Sequence, residues 1–243
     1  SCFAVSNGAQ VFLARNSDFL LALQHWNGNV IYRLDGRCFY FTGNTTAFVE
    51  IEDGVNEHGL AAGLTSVSPG RIQPGLNAGM LLRLMLETCR TVEQALALAR
   101  RVPIASAQTL TLADAGGAIA VLECNSSHLE VVRPAPGRPF VCATNTFHSP
   151  SMRHACRAGV DDWASEPRYQ TMLHTLQAKA GGMDIPGAMA LLAGKEGFLC
   201  QYDKRGGRGT VWAAIYDVKC HAVWRAEGNP ARRHFAQDGR FKF

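Results

Sequence analysis

The sequence lacks the marks of several large protein classes. Its eight cysteines (Cys2, Cys38, Cys89, Cys124, Cys142, Cys156, Cys200 and Cys220) form no C-x-x-C pair, and its eight histidines show no H-x-x-x-H spacing. No metal and no other cofactor is therefore expected. Thiols scattered through apolar runs such as VLECN and PFVCATN read as buried and reduced rather than as a disulfide framework, which points to a cytoplasmic setting. No apolar run is long enough to span a bilayer and no basic, apolar leader is present, so no membrane association is expected. Charge is nearly balanced, with 24 Lys and Arg against 20 Asp and Glu. The cations are spread out except in the tail ARRHFAQDGRFKF, which argues against a nucleic-acid partner. No internal repeat, low-complexity stretch or linker interrupts the chain.

What is present suits an ordinary globular protein. The 243 residues are 47% hydrophobic and 18% charged, enough for a substantial core and read as one domain over 1–243. Short β-branched or aromatic runs (FAVS, QVFLAR, NVIYRL, AFVEIE, LAAGLTSV) alternate with turn pairs, and Ser6-Asn7-Gly8 predicts a hairpin. From Met80 the period becomes helical in MLLRLMLETC and TVEQALALARRV, with Thr91 and Gln94 as a capping box. Strands return in AQTLTLADA, AIAVLEC, HLEVVRP and PFVCATN. Ser149-Pro150 and Asp184 then predict two further helix starts. GTVWAAIYDV and CHAVWRAEG close the chain as a hairpin. Antiparallel hairpin runs broken by two helical blocks exclude an alternating parallel sheet and fit an α+β protein of packed sheets covered by helices.

The stretch SCFAVSNGAQVFLARNSDF carries the chemistry. A residue at the head of a strand can supply both a nucleophile and, through its own α-amino group, the base that activates it, because that amine titrates near ~8. The hairpin returns Arg15 and Asp18 to this end, where a guanidinium would favour a thiolate and a carboxylate would orient the ammonium. A surface ion pair at a hairpin end explains the same spacing.

C-F-A-V, a turn and FLARNSDF resemble the opening of the N-terminal-nucleophile amide hydrolases related to choloylglycine hydrolase, penicillin V acylase, acid ceramidase and isopenicillin N acyltransferase. EDGVNEHGLAAGLT is similar to that superfamily's G-M-N-E-x-G-L segment, and LTLADAGGAIAVLEC to its D-x-x-G hairpin leading to an acidic residue, here Glu123. Asn145 in ATNTF stands at the place of its oxyanion asparagine. Arg208 in GGRGTVWAAIYD stands at that of a second catalytic arginine.

The resemblance implies a four-layer αββα sandwich. It implies hydrolysis of a linear amide through a thioester on Cys2, with Arg15, Asp18, Asn145 and Arg208 in the site. The alternatives are acyl transfer to an amine and a non-catalytic binding protein of the same fold. Ser1 departs from the pattern, which requires the nucleophile's own amine to be free. Ser1 is then a residue lost on maturation, a replaced cysteine, or itself the nucleophile. A strand alternates faces, so the choice between Ser1 and Cys2 decides which face the nucleophile occupies. Asn56 and Glu57 read as turn residues. Trp26, Val67 and Phe147 are expected to line the substrate pocket. The expected partner is a small-molecule amide, and homo-oligomerisation is compatible with the sequence.

Overall fold

The structure is a computed structural model that describes residues 1–34, 36, 38–156, 160 and 163–243. The chain runs through β1 (Cys2–Ser6), β2 (Val11–Leu20), β3 (Gly28–Tyr32), β4 (Phe41–Thr45), β5 (Asp53–Asn56) and β6 (Ala61–Ser66). Helices α1 (Ala78–Thr88) and α2 (Val92–Ala99) follow, and then β7 (Gln108–Ala113), β8 (Ile119–Cys124), β9 (Leu129–Val132) and β10 (Phe140–Ala143). Helices α3 (Ser165–Lys179) and α4 (Ile185–Leu192) precede β11 (Arg208–Asp217), β12 (Ala222–Ala226) and the short β13 (Ala236–Gln237).

All strand pairs are antiparallel. One sheet has the order β10-β1-β2-β11-β12-β13 and the other β3-β4-β5-β6-β7-β8-β9. Strand alternation divides the core into three slabs. Cys2, Ala4, Val11 and Leu13 meet Val55, Ala61, Ala113 and Val121 between the sheets. Phe3, Val5, Phe12 and Ala14 meet Met172, Leu176, Leu191 and Leu192 of α3 and α4. Leu81, Leu82, Met85 and Leu86 of α1 pack with Val92 and Leu96 of α2 against the other sheet. The result is the αββα sandwich.

Caps fix where the helices begin. Thr91 accepts from the Gln94 amide and Asp184 from the Gly187 amide, as their sequences predict. Two expectations differ. Residues 47–52, expected as a strand, form a turn with Phe48 at φ 56°, and the strand is β4, whose FTGNT sequence is buried but not apolar. Ser149-Pro150 opens only a short 3-10 turn, Arg153–Ala155. Helix α3 itself has no apolar signature, because its buried face includes Arg168 and Thr175. Asn56 is a turn residue as expected: its Oδ1 accepts from the His58 and Leu60 amides, and its Nδ2 donates to the Leu86 and Cys89 carbonyls. Glu57 accepts from the Tyr40 amide.

Candidate active site

Strand register settles which residue of the opening stretch faces what. The β1–β2 ladder runs without a bulge from Ser6↔Val11 to Cys2↔Arg15, and residues directly opposite share a face. Cys2 and Arg15 thus point between the sheets. Ser1 and Asn16, one step further, exchange backbone hydrogen bonds of 2.9 and 3.1 Å and share the other face with Asp18. A register shift falls elsewhere, between Thr210 and Trp212 where β11 pairs with β2.

The two neighbours therefore sit in different environments. Cys2 is wholly buried, and burial pushes its thiol up to about 11 against weaker help from the Thr111 hydroxyl and Arg15. Its partner Arg15 is engaged with carboxylates, donating to Asp53 at 2.5 Å and to Glu52 at 3.4 Å, and to the Leu64 carbonyl at 2.9 Å. Asp53 is in turn held by Trp212, Asn44 and Tyr216. This network ties the two sheets together.

Ser1 instead lies at the floor of a cavity of about 390 Å³ shared with Asp18, Asn145, Leu64, Val67 and Glu52. Cys2 does not line it. The Ser1 amine donates to the Asn16 carbonyl at 3.1 Å and to Asp18 Oδ2 at 3.3 Å. Burial pulls this amine down to about 5; the Asp18 attraction opposes the shift, and the Arg168 and Arg15 charges add to it. Near pH 7 the group is accordingly a neutral amine.

Arg168, from α3, organises the rest. Wholly buried, it donates from Nη1 to Ser1 Oγ at 3.1 Å and to Asp18 Oδ2 at 3.2 Å, and from Nη2 to Asn145 Oδ1 at 2.7 Å. A guanidinium has no acceptor, so this contact fixes which end of the Asn145 amide is oxygen. Asn145 Nδ2 gives one N–H to the Ser66 carbonyl at 2.8 Å. Its second N–H has no protein acceptor among the described residues. Behind it, Glu123 holds the following loop by accepting from the His148 amide at 2.7 Å, the Ser149 amide at 3.1 Å and the Ser149 hydroxyl at 2.5 Å.

Sequence reasoning thus brought Ser1, Asp18 and Asn145 together, and Arg15 reaches the same cavity. Arg208 is not among its lining residues; its guanidinium lies 4.9 Å from the Trp163 ring centre. Arg168 was missed. Its signal is an arginine on the stripe shared with Met172 and Leu176, where an unpaired charge is not tolerated. Of the expected pocket residues Val67 lines the cavity. Phe147 is buried behind it against Ala107 and Met152, and Trp26 is half exposed against Phe48.

Residues 5–232 match the model of a family described as acyl-coenzyme A:6-aminopenicillanic acid acyl-transferase. The chain belongs to that family. Its members are N-terminal-nucleophile enzymes acting on carbon–nitrogen bonds of linear amides. Solved structures share the fold. Penicillin V acylase from Agrobacterium tumefaciens is 17% identical, with a TM-score of 0.65 over 93% of this chain and 83% of that one. A variant of conjugated bile acid hydrolase from Clostridium perfringens is 11% identical, with a TM-score of 0.70 over 100% and 97%. A Caenorhabditis elegans orthologue of N-acylethanolamine-hydrolyzing acid amidase is 15% identical, with a TM-score of 0.63 over 90% and 92%. A search of curated protein sequences found no match. The family match spans Arg15, Asp18, Asn145 and Arg168 and begins after Ser1 and Cys2. Among the described residues, no cluster of three His, Cys, Asp or Glu side chains could hold a metal ion, and no helix is long and apolar enough to cross a membrane.

Proposed function

We propose that the protein cleaves a linear amide by transferring its acyl group to the Ser1 hydroxyl, in an active species that begins at Ser1. The observation that carries this reading is that the Ser1 amine and hydroxyl meet Asp18, Arg168 and Asn145 at one cavity. The amine donates to Asn16 and Asp18, and burial lowers its hold on a proton, which suits it to exchange one with the adjacent hydroxyl.

Ser1 Oγ, already polarised by Arg168, gives its proton to the amine and attacks the amide carbonyl carbon. The oxygen becomes an oxyanion facing the unspent N–H of Asn145, which stabilises it more than it did the ground-state carbonyl. Asp18 and Arg168 hold the amine and the amide in register. Collapse breaks the C–N bond as the α-ammonium returns its proton to the departing amine. The ester left on Ser1 is then opened by water, or by a second amine if acyl transfer is the outcome, with the α-amine again taking the proton. Cys2 supports the site without touching the substrate.

The test is the mass of the N-terminal peptide, taken from the untagged protein before and after brief exposure to an activated acyl donor. A peptide that starts at Ser1 and gains one acyl group there, removable by hydroxylamine, is the expected result. A peptide starting at Cys2, or acylation at any other residue, overturns it. No acyl-enzyme with any donor in a properly folded protein favours the non-catalytic reading.

A further inference from the structure

A second cavity, of about 450 Å³, lies on the far side of Asp18 and has the opposite electrical character. Asp18 Oδ1 accepts from the Thr210 hydroxyl at 2.6 Å. Burial, and after it the Asp18 carboxylate, raises the Tyr202 phenol well above its ordinary range. Thr210 and Tyr202 line the second cavity, and the Thr210–Asp18 hydrogen bond is what links it to the first. It is lined by Lys204, Arg232 and Arg233, all exposed, and by no carboxylate among the described residues. None of these three cations forms an ion pair with a described residue. By contrast Arg205, beside Lys204, is already paired with Asp203 at 2.7 Å.

The cations are placed rather than scattered. Asn229 Nδ2 donates to the Cys200 carbonyl at 2.7 Å, and Asn229 Oδ1 accepts from the Ala231 amide at 3.0 Å. The Arg232 and Arg233 amides both donate to the Asn229 carbonyl, at 2.9 and 3.0 Å. Arg233 then lies over Gly228, where a Cβ would come within 3.3 Å of its Cγ. Three like charges converging on one concavity repel one another unless an anion joins them, and two arginine forks with a lysine suit clustered anionic oxygens.

We propose that this cavity binds a small polyanion, a group with several phosphate or carboxylate oxygens, on Lys204, Arg232 and Arg233. The site is independent of the acyl-transfer reading, because it is tested by binding alone. Titration calorimetry of the full chain with pyrophosphate, and separately with citrate, distinguishes the two oxyanion sources. Binding that weakens steeply with salt is expected. The double variant Arg232→Ala/Arg233→Ala should lose at least about tenfold in affinity, and Lys204→Ala about threefold to tenfold, since charge-assisted contacts are lost. Arg205→Ala and Lys195→Ala should leave it unchanged. Lys195 lines a neighbouring cavity that also reaches Arg232 and Arg233, so loss with Lys195→Ala but not Lys204→Ala would place the anion there and overturn the assignment. Equal binding by wild type and the double variant, or no binding of either anion at low salt, would also overturn it. All five of these side chains are exposed, so an unchanged melting temperature confirms that the variants fold.

Discussion

Ser1 and Cys2 are consecutive residues, yet they occupy two regions that differ in almost every physical respect. The Ser1 side of β1 is a polar floor where an amine, a carboxylate, a guanidinium and an amide meet beneath an open cavity. The Cys2 side is closed core between two sheets, where the thiol is held in its neutral form. One step of strand alternation separates them. Thiol chemistry is intrinsically faster than hydroxyl chemistry, but a nucleophile also needs a base within reach and a route for the substrate. On the proposed reading position 1 has both, whereas Cys2 does not line the cavity.

The comparison is broken most sharply at Ser1. Replacing Ser1 by Ala keeps the amine and removes the hydroxyl, and is expected to lower kcat by about 10⁴-fold or more, the scale of losing a nucleophile. Ser1→Cys restores a nucleophile on the same face and should keep a measurable acyl-enzyme. If Ser1→Ala retained wild-type turnover, the polar floor would not be where the reaction happens.

Next in size is Asn145→Ala. An oxyanion donor acts chiefly in the transition state, so kcat should fall about 10²- to 10³-fold with KM little changed. A KM effect with intact kcat would instead make Asn145 a ground-state binding residue.

Arg168→Met sharpens the comparison through pH. Arg168 positions Asp18 and Asn145, and a drop in kcat of about 10- to 100-fold is expected from the misplaced pair. In the wild type, activity should decline below about pH 5, as the amine takes up a proton. Because the Arg168 charge helps to depress that amine, its removal should move the acid limb upward, a shift that a merely structural role would not produce. The same group ties stability to pH. Its pKa is lower folded, at about 5, than unfolded, at 8.0, so the unfolded chain binds more protons across that window and stability rises as pH increases through it. Denaturation midpoints that are flat from pH 5 to 8 in otherwise identical buffers would contradict this.

How much of this the sequence discloses depends on whether a residue's role is written into its periodicity. Hairpin β1–β2 and strands β7 to β12 were legible because apolar alternation and turn pairs mark them. Strand β4 was not, since its place is enforced by close approach. A Cβ at Gly43 would come within 2.8 Å of Ile51, and one at Gly54 within 2.5 Å of the Thr42 carbonyl. The apolar run at 47–52 imitated a strand while Phe48 stands exposed. Asp18 and Asn145 were readable from motifs, whereas Arg168 reaches the site from a helix 150 residues away in sequence from Asp18. Which of Ser1 and Cys2 faces the cavity turned on one residue of register, which a residue count does not fix without the hydrogen-bond ladder.

The smallest expected effect is the most discriminating. Cys2→Ala should leave kcat within about threefold of wild type, because the side chain faces away from the cavity. Its cost should appear in stability, about 1–2 kcal/mol for removing a buried sulfur. The site cannot relax freely to fill the gap. A Cβ on Gly63 would lie 2.9 Å from Cys2 Sγ and 3.1 Å from Arg15 Cδ, so thiol, glycine and guanidinium form one close contact across the sheets. Gly63→Ala should therefore destabilise the fold more than Cys2→Ala does, by pressing on Arg15 and its Asp53 pair as well as on the thiol. Iodoacetamide supplies the kinetic counterpart. A thiol raised to about 11 and shut between sheets should react far more slowly than the exposed Cys220, and alkylation under native conditions should spare activity. Rapid alkylation of Cys2 with parallel loss of turnover would move the nucleophile back to the second residue and reverse the roles assigned to the two faces of β1.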